Sequence, residues 1–289
     1  MIYFWIFIQQ SIASVTHIVG QDATRALDPF ALLFFRVLVA AFSLFVVVSI
    51  KERRLNLFAD VNKQDVGRLF LLGALNILIN QLLYFEGLRI TTPANSALLY
   101  ALTPAIVFIL AIRVHWETTN WKKIAGIIIA FVGTAILMFE HGASFSSEHT
   151  KGNVFIFIAV IAWSIFTLLG KPLILKYGAL RVTAMHMATG ALLYLPIGLW
   201  NVRPDMMMTF SISMWSEILY LGIFASCVNY VLWYYALGKL ETSKVAIFQN
   251  LQPVLTTILA LSLGRAELTG ELIGGGVLAL GGVLLVQFG

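Results

Sequence analysis

Ten apolar runs of about 20 residues succeed one another along this 289-residue chain. They lie near residues 2–21, 29–50, 66–88, 92–113, 121–140, 152–171, 180–200, 214–237, 242–264 and 270–288. Such runs leave little structural choice. In hydrocarbon every backbone N–H must find its acceptor inside the protein, and a helix does so within one segment. Barrel strands would alternate over about 10 residues, which these runs do not do. The longest connections, near 51–65, 140–151 and 201–213, have no room for a soluble domain. Charged residues make up 11% of the chain, against about 25% in a soluble domain, so a water-facing surface is excluded.

The chain also repeats itself. Residues 80–111 read NQLLYFEGLRITTPANSALLYALTPAIVFILA, and residues 229–260 read NYVLWYYALGKLETSKVAIFQNLQPVLTTILA. The offset is 149 residues, and nine of 32 positions are identical without a gap, Asn80/Asn229 and Pro104/Pro253 among them. The same offset aligns Gly73 with Gly222, Gly126 with Gly275 and Gly133 with Gly282. A membrane chain built from its own half repeated is the mark of a transporter scaffold, with a site at the repeat interface.

Lys and Arg sort between alternate connections. The even-numbered ones and their flanks hold thirteen: Lys51, Arg53, Arg54, Lys63, Arg68, Arg113, Lys122, Lys123, Lys171, Lys176, Arg181, Lys239 and Lys244. The odd-numbered ones hold five: Arg25, Arg89, Lys151, Arg203 and Arg265. The positive-inside rule then predicts cytoplasmic termini and an inner (plasma) membrane, multi-pass protein. Five crossings per copy turn the second copy over. The predicted fold class is therefore all-α integral membrane, with ten transmembrane helices as two inverted five-helix repeats. The expected division is 1–140 for the first repeat, 141–151 for an external linker and 152–289 for the second. MIYFWIFI lacks a basic flank, so no cleavable signal peptide is expected.

These segments resemble the drug/metabolite transporter superfamily, in its ten-helix EamA-type form. The repeated unit is followed in each half by a Glu (Glu117, Glu267) and a Gly-spaced helix, GIIIAFVGTAIL or GGVLALGGVLL. FFRVLVAA in segment 2 and AWSIFTLLGKPL in segment 6 carry the resemblance further. It implies that segments 1, 3, 4, 6, 8 and 9 line a central cavity. It does not name a cargo, because one scaffold serves many.

Polar groups inside a bilayer are costly unless they face protein or a water-filled cavity. Asn76, Asn80 and Tyr84 stand at i, i+4 and i+8 in segment 3, which is one helical face. Segment 8 answers with Asn229 and Trp233, beside Tyr230 and Tyr234. Tyr100 and Thr103 in segment 4 correspond to Gln249 and Gln252 in segment 9, where Asn250 is adjacent. Trp163 and Thr167 come from segment 6, and Ser14 and His17 from segment 1. The substrate-cavity candidates are these residues, apart from Ser14 and Tyr234. The competing role for Asn and Gln is helix–helix glue, worth about 1 kcal/mol. That role is favoured for Asn80 and Asn229, which both halves retain. Cavity lining is favoured for Tyr100, Gln249, Asn250 and Trp163, where the halves differ.

Gating or hinge candidates are Arg36, Glu86, Pro104 and Pro253. Each proline removes a donor and frees the carbonyl four residues back, giving a kink, a hinge or an exposed acceptor. Arg36 lies about two turns inside segment 2, roughly 10 Å deep. It is expected to snorkel outward or to pair with Asp22, Asp28 or Glu86, in a structural or gating role rather than to touch a solute. Glu86 is a gate or an interfacial residue. His17 and His186 are titratable, but a lone His is more often a hydrogen-bonded core residue. Gly73, Gly126, Gly133, Gly274, Gly275, Gly276, Gly281 and Gly282 are expected to admit close helix approach.

Other function classes find no support in the residues. There is no G-x-x-x-x-G-K-[ST] loop and no H-E-x-x-H pair. The single Cys227 makes neither an internal disulfide nor a metal cluster. The net charge of +5 is loop charge that sets topology, not a nucleic-acid footprint. Neither an enzyme, a cofactor, a metal nor an ATPase subunit is expected. The expected partners are the lipid bilayer and a small-molecule solute. The leading expectation is a secondary transporter, in the export direction, for a small metabolite such as an amino acid. The alternative is an uptake or exchange carrier for a nucleotide-related or cofactor-like solute, which would want more mid-membrane cations than Arg36. A membrane enzyme or sensor is disfavoured.

Overall fold

Helix starts follow local sequence signals. Asp28 accepts from the Phe30 N–H at 2.9 Å, with Pro29 in the first turn, and opens the helix Pro29–Glu52. Thr92 does the same for the helix that starts at Pro93 through the Asn95 N–H at 3.1 Å, and Ser211 for the one that starts at Ile212 through the Met214 N–H at 3.2 Å. Such caps satisfy donors that the helix itself leaves orphaned. The computed structural model describes residues 1–53, 55–140, 142–144, 146–203, 205–262 and 269–289. Arg54, Arg265 and Glu267, used above in the charge sorting and the repeat, lie outside that set.

The spans are α1 (Ile2–Ala26), α2 (Pro29–Glu52), α3 (Lys63–Ile90), α4 (93–113), α5 (Trp121–Glu140), α6 (Thr150–Tyr177), α7 (Ala179–Asn201), α8 (Ile212–Leu237), α9 (242–262) and α10 (Gly270–Gln287). Among the described residues, nine helices are long and apolar enough to cross a membrane. The remaining span, α9, comes in pieces: Thr242–Ala246, a 3-10 turn at Ile247–Asn250, then Leu251–Ser262. Its repeat partner α4 also breaks, into Pro93–Tyr100 and Thr103–Arg113. Both prolines therefore sit in the opening turns of new half-helices, where a missing N–H costs nothing. Each proline thus sits beside a short interruption, across which the backbone at Ala101, Leu102, Ile247 and Leu251 stays right-handed.

A second irregularity occurs in both copies, two to three residues out of register with the repeat offset. Residues Ala74–Gln81 of α3 and Tyr220–Val228 of α8 are π-helical, a wider turn with i→i+5 bonding.

Small residues set the helix contacts. A Cβ on Gly126 would stand 2.7 Å from the Gly282 carbonyl oxygen, and one on Gly133 would stand 2.6 Å from that of Gly275. These two contacts exchange under the repeat offset, so α5 and α10 cross about a local twofold. Gly73 meets the Gly190 backbone of α7, and Gly222 meets Val39 of α2. Gly274, Gly276 and Gly281 have open space where a Cβ would go, against the expectation of close approach. They lie on the side of α10 turned away from α5.

Buried apolar side chains form one large cluster, mostly from α1–α3 and α6–α8. Two small clusters join α4, α5, α9 and α10. Exposed apolar residues such as Phe42 and Val277 face outward, where lipid belongs. Alternate connections gather at opposite ends. At one end Asp65 binds Lys176 (2.5 Å) and Arg68 (3.1 Å), while Glu117 accepts from the Ser243 N–H at 3.0 Å. At the other, Arg89 meets Asp28 (3.6 Å) and Glu86 (3.0 Å), and Asn95 donates to the Ser144 carbonyl at 2.8 Å.

Candidate functional site

The broken and widened helices surround a small polar cavity of about 90 Å3. Its wall combines Gln9, Ala13, Thr16 and His17 of α1 with Arg36 of α2 and Asn80, Gln81 and Tyr84 of α3. Tyr100 of α4, Trp163 of α6, Ala225, Asn229 and Tyr230 of α8, and Gln249 and Gln252 of α9 complete it. That volume holds a few waters, whereas pockets for drug-sized ligands run to about 300–1,000 Å3.

Of the expected cavity residues, His17, Asn80, Tyr84, Tyr100, Trp163, Asn229, Tyr230, Gln249 and Gln252 come together here. Hydrogen bonds hold them in place. Asn80 donates to the Tyr100 hydroxyl (2.7 Å) and to the Ala159 carbonyl of α6 (2.8 Å). Asn229 accepts from Gln9 Nε2 at 2.8 Å. Both asparagines thus face the cavity and also hold helices together. His17 is clamped between the Tyr84 hydroxyl (2.7 Å) and Gln252 Oε1 (3.0 Å), and Gln252 Nε2 donates to Gln10 at 2.7 Å.

The other expected residues stand outside the wall, and helix geometry explains two of them. The π turn aligns i with i+5, so Asn76 accepts from Gln81 (3.3 Å) and from the Tyr230 hydroxyl (2.8 Å), behind the cavity. The α-helical face drawn through Asn76, Asn80 and Tyr84 does not survive this widening. In α9 the three-residue turn puts Gln249 and Gln252 on one side and turns Asn250 into the protein interior, where it is fully buried. Thr103, Thr167 and Trp233 are buried between helices instead, with Trp233 tilted against Trp163 at a ring distance of 5.4 Å.

The gating candidates move too. Arg36 makes none of the anticipated ion pairs: Asp22 meets Arg25, while Asp28 and Glu86 meet Arg89. Its Nε instead donates to Ser226 Oγ at 2.7 Å, and its guanidinium lies 5.3 Å from the Phe85 ring centre. Glu86 is not in the wall. His186 is buried among the rings of Phe166, Tyr230 and Tyr234, away from the wall.

Gln9, Ala13, Thr16, Gln81 and Ala225 are wall residues that the sequence candidates omit. The signal for α1 was present: Gln9, Ala13, Thr16 and His17 follow i, i+4, i+7 and i+8, one helical face. Gln81 has no such signal, because only the π turn brings it round. A second cavity, of about 210 Å3, lies toward the Arg89 end between α1, α4, α5 and α9, lined by Gln21, Thr92, Ala97 and Thr256 among others. His17 borders both cavities and stands between them.

At the Lys176 end a second polar cluster closes the bundle. Lys123 bridges Glu117 (3.1 Å) and Glu241, and Glu117 also accepts from the Ser243 hydroxyl. Partial burial alone would raise the Glu241 carboxyl. The Lys123 hydrogen bond and the charges of Lys123, Lys244 and Lys171 together outweigh that and hold it below the usual glutamate range.

Comparisons agree with this architecture. The profile of the EamA-like transporter family matches residues 1–139 and again residues 150–288. An uncharacterized transporter of Archaeoglobus fulgidus is 28% identical over 262 residues, covering 90% of this chain and 88% of its own. A probable terminal-alkyne amino-acid exporter of Streptantibioticus cattleyicolor is 27% identical over 229 residues, covering 78% and 74%. A solved crystal structure superposes with a TM-score of 0.78 over 99% of this chain and 97% of its own; at 18% identity it speaks for the fold alone. With the profile matching both halves, the chain belongs to the EamA-like transporter family, within the drug/metabolite transporter superfamily.

Proposed function

We propose that this transporter exports a small organic metabolite, such as an amino acid, through the cavity ringed by α1, α2, α3, α4, α6, α8 and α9. The observation that carries the proposal is the place of the cavity on the seam between the two copies. Asn80 faces it from one copy and Asn229 from the other, and so do their repeat-related neighbours Tyr100 and Gln249. A site on such a seam suits alternating access, in which one repeat rocks against its inverted partner. The wall mixes amides, hydroxyls and aromatic rings with a single full charge, a chemistry fit for a small amphipathic solute. The printed name of the Streptantibioticus relative supports the direction and the class.

The membrane is proposed to be the inner one, with both termini cytoplasmic, from the thirteen-to-five charge bias. Transport then runs downhill or by exchange, without a nucleotide motif in the chain. On this view His17, held by Tyr84 and Gln252, bars the route from the central cavity to the outer one. Purified protein in liposomes tests the reading by counterflow of a labelled amino-acid and small-metabolite panel. Saturable counterflow above empty liposomes, little changed by a protonophore, is the expected result. No saturable flux for any member would overturn it, and strict dependence on a pH gradient would overturn the exchange mode.

A further inference from the structure

We propose that Arg36 is the anchor for a carboxylate on the solute, making the cavity selective for carboxylates over neutral molecules of the same shape. This rests on the reading of the cavity as the solute path, and adds to it the chemistry of the cargo.

Arg36 is 4% exposed in a helix that is otherwise apolar for most of its length. A buried cation is strongly unfavourable without a counter-charge. Among the described residues Arg36 has no carboxylate partner, and the wall holds neither Asp nor Glu. The acids at the nearer end of the bundle are engaged elsewhere, by Arg25 and Arg89. The missing charge is therefore supplied by whatever enters.

The guanidinium is held ready for it. Within the π segment of α8, the Ser226 hydroxyl donates to the Leu221 carbonyl five residues back, at 2.8 Å. Its oxygen is thereby fixed to accept from Arg36 Nε at 2.7 Å. The terminal nitrogens donate to no described residue, and their planar fork matches a carboxylate. Elsewhere in the wall, Gln9 and Gln81 spend their amide N–H groups on Asn229, Asn76 and Tyr230. Their Oε1 atoms, and that of Gln249, are buried without a partner. Among the described residues of the wall, these three acceptors and the unpaired cation suit a solute with a carboxylate and a nearby donor group.

The test uses pairs of small carboxylates and their primary amides, with benzoate and benzamide included. Wild type, Arg36→Gln and Arg36→Lys are compared by counterflow in liposomes and by thermal stabilisation in detergent. The expected result is at least tenfold preference for the acid of a pair, lost in Arg36→Gln and partly kept in Arg36→Lys. Arg36→Gln without ligand should be as stable as wild type or more so, because it removes an unpaired buried charge; a structural arginine would show the reverse. Equal flux of acids and amides, or an unchanged preference in Arg36→Gln, overturns the anchor and leaves the transport reading standing. Flux of no compound counts against the transport reading. Absence of acid-selective stabilisation of wild type then overturns the anchor separately.

Discussion

The α5–α10 crossing provides a sharp structural prediction. Gly133→Ala would place a Cβ against the Ala279 backbone nitrogen and 2.6 Å from the Gly275 carbonyl oxygen. Ordinary contacts begin near 3.4 Å, so the helices must part by about 1 Å at the crossing. Overpacking of that kind costs about 1–3 kcal/mol. Gly276→Ala is the control on the same helix pair, since its Cβ meets nothing within 4 Å. There alanine should be neutral, or stabilise by up to about 1 kcal/mol through helix propensity. Unfolding in detergent–denaturant titrations would measure both. The reasoning is refuted if Gly133→Ala is no less stable than Gly276→Ala.

Further outcomes follow from the same geometry. Tyr100→Ala and Gln249→Ala should each lower apparent solute affinity by about 1–3 kcal/mol, roughly fivefold or more, in a binding titration, whereas Asn250→Ala, which faces away from the cavity, should not. His17→Ala should let an externally added, membrane-impermeant thiol reagent reach Ala225→Cys; labelling no faster than with His17 present would argue against a barrier there. Glu241 is held below its ordinary value of 4.5, so its stabilising contact with Lys123 is complete above that pH and fades as acid carries the solution through the lower folded value. Glu241→Gln should flatten that acid-side loss in a thermal melt, and an unchanged profile would remove Glu241 from the account. For topology, Ser146→Cys should react with an impermeant reagent from outside the cell and Asn56→Cys should not; the opposite pattern would reverse the proposed orientation.

Helix positions are legible in this chain because the bilayer leaves a long apolar run no other way to satisfy its backbone. The repeat is legible because Asn80/Asn229 and Pro104/Pro253 recur in register. What an α-helical wheel cannot show are departures from the 3.6-residue turn. The π turns of α3 and α8 move Asn76 out of the wall and bring Gln81 in. The 3-10 turn of α9 moves Asn250 out of the wall and keeps Gln252, a candidate from the sequence, within it. Arg36 is misread for a related reason. Its nearest carboxylates in sequence are bound by Arg25 and Arg89, which only the folded arrangement reveals.

The central claim, that solute crosses through the cavity between the repeats, is tested most directly by plugging it. In a Cys227→Ser background, Ala225→Cys places a thiol in the wall, and Gly276→Cys places one on the side of α10 facing open space. Each protein is modified to completion with a small thiol reagent, and counterflow of a transported solute is then measured in liposomes. The account predicts that modification at Ala225→Cys abolishes flux, that solute slows this modification, and that modification at Gly276→Cys changes nothing. Undiminished flux through fully modified Ala225→Cys protein would contradict it.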